Sequence, residues 1–211
     1  MSENHIYSDS RETNQSFAKL LDGTVAAIGI GTSGGSDDKQ RTIFPGAFNP
    51  LHDGHLMMAV VAERVFGMAV EFELSIANVD KPMLDLAAVE SRLSQFADDQ
   101  LVWLTTAATF GEKSDLFRCE TFVVGADTIV RIADPTYYDD DPEKCDAAIS
   151  RIIENDCRFL VFGRTMEKGF MTLREIGLPD VLLGICTEIP EAVFRQDISS
   201  STVREGRLEG S

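Results

Sequence analysis

The sequence predicts an α/β fold, a doubly wound, mostly parallel sheet with helices on both faces. Two observations carry this. From Thr42 onward, short apolar runs alternate with longer stretches of helical pattern, the signature of strand–helix–strand units. And 44% of the 211 residues are hydrophobic, enough for one full-sized core in a single domain.

The elements follow in order. Strands are expected at 42–44, 70–77, 101–105, 121–125, 158–163 and 181–186, where β-branched and aromatic residues cluster between turn formers. Helices are expected at 54–66, 86–96, 126–133 and 142–155, where apolar residues recur at helical spacing. Residues 1–40 read as an N-terminal extension and linker, leaving 41–211 as the catalytic domain. That extension is polar at first, passes through the apolar run Val25–Ile30, and ends in a Gly/Ser/Asp-rich connector. Within it, Gly29-Ile30-Gly31-Thr32-Ser33-Gly34 spells G-x-G-x-x-G. No helical pattern follows those glycines, so a dinucleotide site is not expected there. No internal repeat is visible.

Charge narrows the function classes. The chain carries 19 basic and 35 acidic residues, a net charge of −16, which argues against sequence-independent nucleic-acid binding and against anionic membranes. Four scattered cysteines without C-x-x-C spacing suit reduced thiols, and no apolar run approaches the length of a membrane span. The N-terminus has neither the basic start nor the apolar core of a secretion signal. A cytoplasmic location is the expectation.

The most informative run is Gly46-Ala47-Phe48-Asn49-Pro50-Leu51-His52-Asp53-Gly54-His55. A β-prone stretch precedes it and a run of helix formers follows, so it sits on a strand-to-helix loop. Gly46 permits close backbone approach to a ligand, and the helix start offers unpaired N–H groups and a positive dipole end to an anion. His52 and His55, two of the chain's three histidines, flank that anion site, where imidazoles can donate to phosphoryl oxygens as charge builds. An isolated H-x-x-H pair also occurs as an ordinary helix-face feature, and a zinc site would need further ligands at suitable spacing. Direct metal ligation by these histidines is not expected.

A second run lies near the C-terminus, Ile198-Ser199-Ser200-Ser201-Thr202-Val203-Arg204. Hydroxyls and N–H groups at a helix start, with an arginine one turn on, make an oxyanion clamp; alone, such a serine run also serves as a helix cap. Taken together, the two runs resemble the nucleotidyltransferase superfamily, of cytidylyltransferase-like, Rossmann-like fold. The first matches its G-x-F-N-P-x-H-x-G-H signature and the second its I-S-S-T-x-x-R, with Ser201 where threonine is usual. The chain is most similar to nicotinate or nicotinamide mononucleotide adenylyltransferases. Residues 1–40 are also similar, over some 20 positions, to the tail of a CinA-type amidase domain, which implies fusion to or association with such a domain.

The resemblance implies roles. His52, His55 and Arg204 would be catalytic. Gly46, Ala47, Phe48, Ser199, Ser200 and Ser201 would bind ATP. Asn78, Lys81, Arg92, Gly125, Asp127, Tyr137 and Arg164 would bind the acceptor; Arg164 ends a buried strand, and Tyr137 stands where nicotinate mononucleotide enzymes commonly carry a stacking tryptophan. Mg²⁺ would arrive with ATP, bound to its phosphates, with no metal held by the chain itself. Because both substrates are anions approaching an acidic protein, the site must be locally positive through Arg204, Lys81, Arg164 and Mg²⁺. The implied reaction moves the adenylyl group of ATP to the phosphate of a pyridine mononucleotide, a step of NAD biosynthesis. A cytidylyltransferase acting on a phosphorylated alcohol and a catalytically silent nucleotide-binding module are the alternatives. Association with further copies of the chain stays open.

Overall fold

The structure, a computed structural model, describes residues 5–8, 13–31, 41–79, 82–118, 120–166 and 169–195. Its elements in chain order are β1 (His5–Ser8), α1 (Thr13–Leu21), β2 (Ala27–Ile30), β3 (Thr42–Pro45), α2 (Asp53–Phe66), β4 (Val70–Ser75), α3 (Leu86–Leu93), β5 (Val102–Thr105) and α4 (Phe110–Leu116). There follow β6 (Thr121–Gly125), α5 (Ala126–Ile132), α6 (Pro142–Glu154), β7 (Arg158–Phe162), β8 (Arg164–Met166), β9 (Gly169–Met171), α7 (Asp180–Leu183) and β10 (Cys186–Ile189).

Eight strands form one sheet in the order β1-β2-β5-β4-β3-β6-β7-β10, and β8 and β9 make a separate antiparallel pair. Every neighbouring pair in the large sheet is parallel except β2 with β5. The α/β, Rossmann-like architecture is therefore as the alternation predicts.

Because side chains alternate across a strand, each strand feeds two cores. Phe44, Phe72, Leu74, Val102, Leu104, Val123, Leu160 and Phe162 face α1, α2 and α3. Ile43, Trp103, Phe122, Val124, Phe159 and Val161 face α5 and α6. The helices start and stop where local chemistry directs. Asp85 caps α3 by accepting from the Ala88 N–H at 2.8 Å; Asp141 caps α6 with Pro142 as its first residue. The α2 helix ends at Gly67, whose left-handed φ of 68° closes its last turn with an N–H to the Glu63 carbonyl at 2.7 Å.

Two details of the sequence reading change. The strand expected at 181–186 is split: α7 turns first, with Leu182 buried and Val181 and Leu183 exposed, and β10 begins only at Cys186. One buried residue flanked by two exposed ones is equally compatible with a short helix, and Pro179 with the Gly184 N–H to Asp180 carbonyl bond favours the helix. The α4 helix was not expected at all; its start is a Thr109/Glu112 capping box.

Residues 13–31, within the stretch read as an extension, contribute α1 and β2, with Phe17, Leu20, Val25 and Ile28 in the core beside α2. Gly29 and Ile30 lie in β2, opposite Trp103 and Val102. Because β2 runs antiparallel to β5, the turn after it lies at the N-terminal edge of the parallel strands, and Gly31, at φ 102°, leaves no space for a Cβ against the Gln100 carbonyl. The first two glycines of the G-x-G-x-x-G run thus serve a sheet edge; residues 32–34 lie outside the described residues.

Candidate functional site

The order of strands places the site. From β3 the chain builds outward through β4 and β5 on one side, while β6, β7 and β10 lie on the other. The crevice above the C-terminal ends of β3 and β6 is therefore the topological switch point, where open α/β sheets bind ligands. Into it run the loop 46–52 from β3, the turn into α5 from β6, and Gly163-Arg164 from β7.

The loop after β3 is folded by its own aromatic residue. Phe48 is buried, its ring edge-on to Phe44, Phe72, Phe96 and His55 at centroid distances of 5.2–5.7 Å. A Cβ at position 46 would meet the Phe48 ring at 2.6 Å, so Gly46 is required first by this packing. The Gly46 N–H is in turn donated to the Glu73 carbonyl at 2.9 Å. Ala47 is exposed on the loop. A single carboxamide braces the far side: Gln95 accepts from the Leu51 N–H at 2.9 Å and donates to the Phe48 carbonyl at 3.0 Å.

His52 is the N-cap of α2 and His55 its third residue. Their rings stack, with centroids 3.8 Å apart and planes 24° from parallel. The His52 backbone N–H points at His55 Nδ1, 3.4 Å away, which leaves the His55 proton on Nε2 as a donor. His52 is 9% exposed, and among the described residues neither of its ring nitrogens has a hydrogen-bond partner. Burial, then the His52 and Arg164 charges, push His55 down to about 3. Burial first, then Arg164, also lower His52. Both rings are thus neutral near pH 7, and both sense the Arg164 guanidinium.

Arg164 begins β8 and pairs with Asp127 at 3.5 Å. Gly125 lies beneath this pair: a Cβ there would come within 2.5 Å of an Asp127 carboxylate oxygen and 3.0 Å of Arg164 Cγ. So the structure brings Gly46, Phe48, His52, His55, Gly125, Asp127 and Arg164 to one sheet edge. Asn78 follows β4 at that same edge and is exposed. Arg92 sits in the last turn of α3, half-buried, and burial lowers its pKa. Tyr137 is half-buried beyond the end of α5, with the Arg131 guanidinium 5.8 Å from its ring centroid. This is an intramolecular packing partner that the sequence reading did not foresee. Lys81, Ser199, Ser200, Ser201 and Arg204 lie outside the described residues.

Sequence reasoning missed Gln95. Its only signal was its place three residues after Arg92, at the end of the same helical stretch. Its contact crosses 44 residues, which no local pattern reveals.

The arrangement offers an anion a helix start with unpaired N–H groups, a neutral imidazole donor, a partnerless imidazole and a neighbouring guanidinium. That is chemistry for holding phosphoryl groups. The cytidylyltransferase-like family matches residues 43–206, a span that takes in both the Gly46–His55 and the Ile198–Arg204 runs. A search of curated proteins found no match. The family match spans most of the chain and places its switch-point loop within the family's domain: the protein belongs to the cytidylyltransferase-like family of the nucleotidyltransferase superfamily.

Proposed function

We propose that the nucleotidyl group transferred is the adenylyl of ATP and that the acceptor is the phosphate of nicotinate or nicotinamide mononucleotide. The observation that carries the phosphoryl part of this reading is His52: a nearly buried imidazole, stacked on His55 at the switch point, with both nitrogens unpartnered among the described residues. Buried polar atoms ordinarily have partners, and a bound phosphate would supply an acceptor for the ring nitrogen that carries the proton. The adenylyl part, and the pyridine acceptor, rest on the resemblance of Gly46–His55, Gly125–Asp127 and Ile198–Arg204 to the mononucleotide adenylyltransferases.

In this reading an oxygen of the acceptor's phosphate attacks the α-phosphorus of ATP in line. The bond to the bridging oxygen of the β-phosphate breaks, and pyrophosphate departs. His55, with Nδ1 occupied by the His52 N–H, donates through Nε2 to an α-phosphoryl oxygen, and His52 bonds the adjacent phosphate. Charge development is met by fixed donors, so no covalent intermediate is required. The backbone of Gly46, Ala47 and Phe48 lies along the nucleotide. Ser199, Ser200, Ser201 and Arg204 hold the β- and γ-phosphates. Gly125, Asp127 and Arg164, with Asn78, Lys81, Arg92 and Tyr137, form the acceptor side.

Mg²⁺, carried on the triphosphate, would neutralise the leaving pyrophosphate. The residues gathered at the switch point are imidazoles, backbone N–H groups and an arginine, which suit phosphate oxygens, with the Asp127 carboxylate paired to that arginine.

The test is pyrophosphate release from purified protein given Mg²⁺ with ATP or CTP and each of a panel of acceptors. Turnover is expected with ATP and a pyridine mononucleotide, yielding the dinucleotide. Turnover only with CTP and a phosphorylated alcohol would replace this reading with the cytidylyl one. Thermal stabilisation by ATP without any turnover would make the chain a nucleotide-binding module.

A further inference from the structure

We propose that Gln95 is a positioning residue for the phosphate-binding loop, gripping it at two points so that His52 enters α2 in register. The inference rests on the nucleotidyl-transfer reading of that loop. Gln95 lies just past α3, yet its carboxamide spans the loop: Oε1 accepts from the Leu51 N–H at 2.9 Å, and Nε2 donates to the Phe48 carbonyl at 3.0 Å. A further contact from Nε2 to the Arg92 carbonyl, at 3.3 Å, ties the same side chain back to its own helix.

What the grip holds explains its need. Phe48 has φ 44°, a left-handed conformation that a bulky residue adopts only when its surroundings impose it. Its ring is fixed by Phe44, Phe72 and Phe96, but a fixed ring does not fix the peptide that leaves it. The Phe48 carbonyl and the Leu51 N–H bracket the segment between Phe48 and His52, and Gln95 satisfies both with one planar group. Because Leu51 precedes the N-cap, a shift there moves His52 and the first N–H groups of α2 together. A small misplacement of such donors is enough to slow a reaction that depends on alignment.

The carboxamide supplies the acceptor and the donor from one planar head. A carboxylate keeps the acceptor for Leu51 and loses the donor for Phe48; a thioether of similar length keeps neither.

Gln95→Met and Gln95→Glu in the full-length protein test the proposal, read out by amide hydrogen exchange of Leu51 and by steady-state kinetics. For Gln95→Met, faster Leu51 exchange and a loss of about tenfold in kcat are expected, with the acceptor KM little changed, the size of one misplaced hydrogen-bonding pair. Gln95→Glu should keep Leu51 protected and lose kcat about threefold, the scale of half the pair. Unchanged Leu51 exchange in Gln95→Met would overturn the grip. Faster exchange with wild-type kcat, or a loss matched by the fraction unfolded in thermal melts, would overturn the positioning role. Should the wild-type protein transfer no nucleotide to any acceptor, the functional reading fails separately; Leu51 exchange together with calorimetric affinity for Mg·ATP then decides the grip alone, equal affinity in wild type and Gln95→Met overturning it.

Discussion

Two sets of buried polar groups in the central sheet are treated in opposite ways. At the N-terminal edge, Arg41 bonds Glu120 through both its side chain and its backbone N–H, approaches Glu71 at 3.7 Å, and lies against Trp103 and Phe117. Trp103 donates to Glu71 at 2.7 Å. At the other end of these strands, beside the Glu73 carbonyl that holds the Gly46 N–H, the Glu73 carboxylate takes two bonds at 2.8 Å from Lys113 and one at 2.5 Å from Thr105, while Lys113 also donates to the Ala107 carbonyl. At the C-terminal edge, His52 is almost as buried and has no partner among the described residues. The saturated cluster holds the fold, whereas the unsatisfied one keeps its bonding capacity for a ligand.

Breaking the saturated side should therefore cost stability. Lys113→Met strands Glu73, which is 1% exposed, with only the Thr105 hydroxyl. Loss of one partner of a buried pair costs about 3–5 kcal/mol, read as the shift of the urea midpoint. Replacing both partners, as Lys113→Met with Glu73→Leu, should restore most of that loss. A double variant no more stable than the single one would show that the pair is not the source.

Breaking the unsatisfied side should cost turnover. His55→Ala removes the Nε2 donor and the ring on which His52 stacks, and the loss in kcat should be about 10²–10³-fold, as for other single donors to a developing charge. Because the neutral ring packs against Phe44, Phe48 and His52, its removal should lower the melting temperature by a few degrees and no more. Near-normal turnover would remove the proposed role, and a large fall in melting temperature would place His55 with the structural cluster.

How legible each set was in the sequence follows from the range of its contacts. The β-strands and the α2 start could be read locally, because alternation, Asn49-Pro50 and the histidine spacing lie within a few residues of one another. The glutamates of β4 could not be understood that way: Glu71 and Glu73 interrupt an apolar strand, and their partners come from β5, α4 and the residue before β3. Gly46 was read as permitting close approach of a ligand, and Gly125 as an acceptor-side residue by resemblance; the structure adds that Phe48 in one case, and the Asp127–Arg164 pair in the other, already occupy the space a side chain would need. Residues 25–30 showed their apolar character, but their place in the sheet depends on pairing with β5, more than 70 positions away. The Ile198–Arg204 run was legible as a motif and lies outside the described residues.

A smaller perturbation sharpens the contrast within the saturated set. Trp103→Phe keeps the ring against Phe117 and deletes only the indole N–H that Glu71 accepts. Glu71 is already pushed up by burial, with the Trp103 bond as the chief opposing influence and Arg41 the next. The variant should lose about 1–3 kcal/mol, the cost of an unmet buried acceptor, and its Glu71 should titrate higher still in carboxyl-resolved NMR. An unmoved Glu71 titration would mean that Arg41 alone sets its charge.

A pH dependence sets the two groups against each other. His55 falls to about 3 in the fold, against about 6.5 when unfolded. The unfolded chain therefore binds its proton first, so the stability His55 lends is complete above about pH 6.5 and is lost as pH falls toward 3. Glu71 and Glu120 are raised, burial being the largest cause for both. Their contribution is present below the unfolded carboxyl value of about 4.3 and is lost as pH rises through their folded values. Melting curves of wild type, His55→Asn and Glu71→Gln between pH 7 and 4 separate the two. On acidification His55→Asn should lose less than wild type, by several degrees at pH 4, and Glu71→Gln more. Parallel curves for all three proteins would mean that neither group governs acid stability, and that the burial of these groups is compensated equally when the chain unfolds.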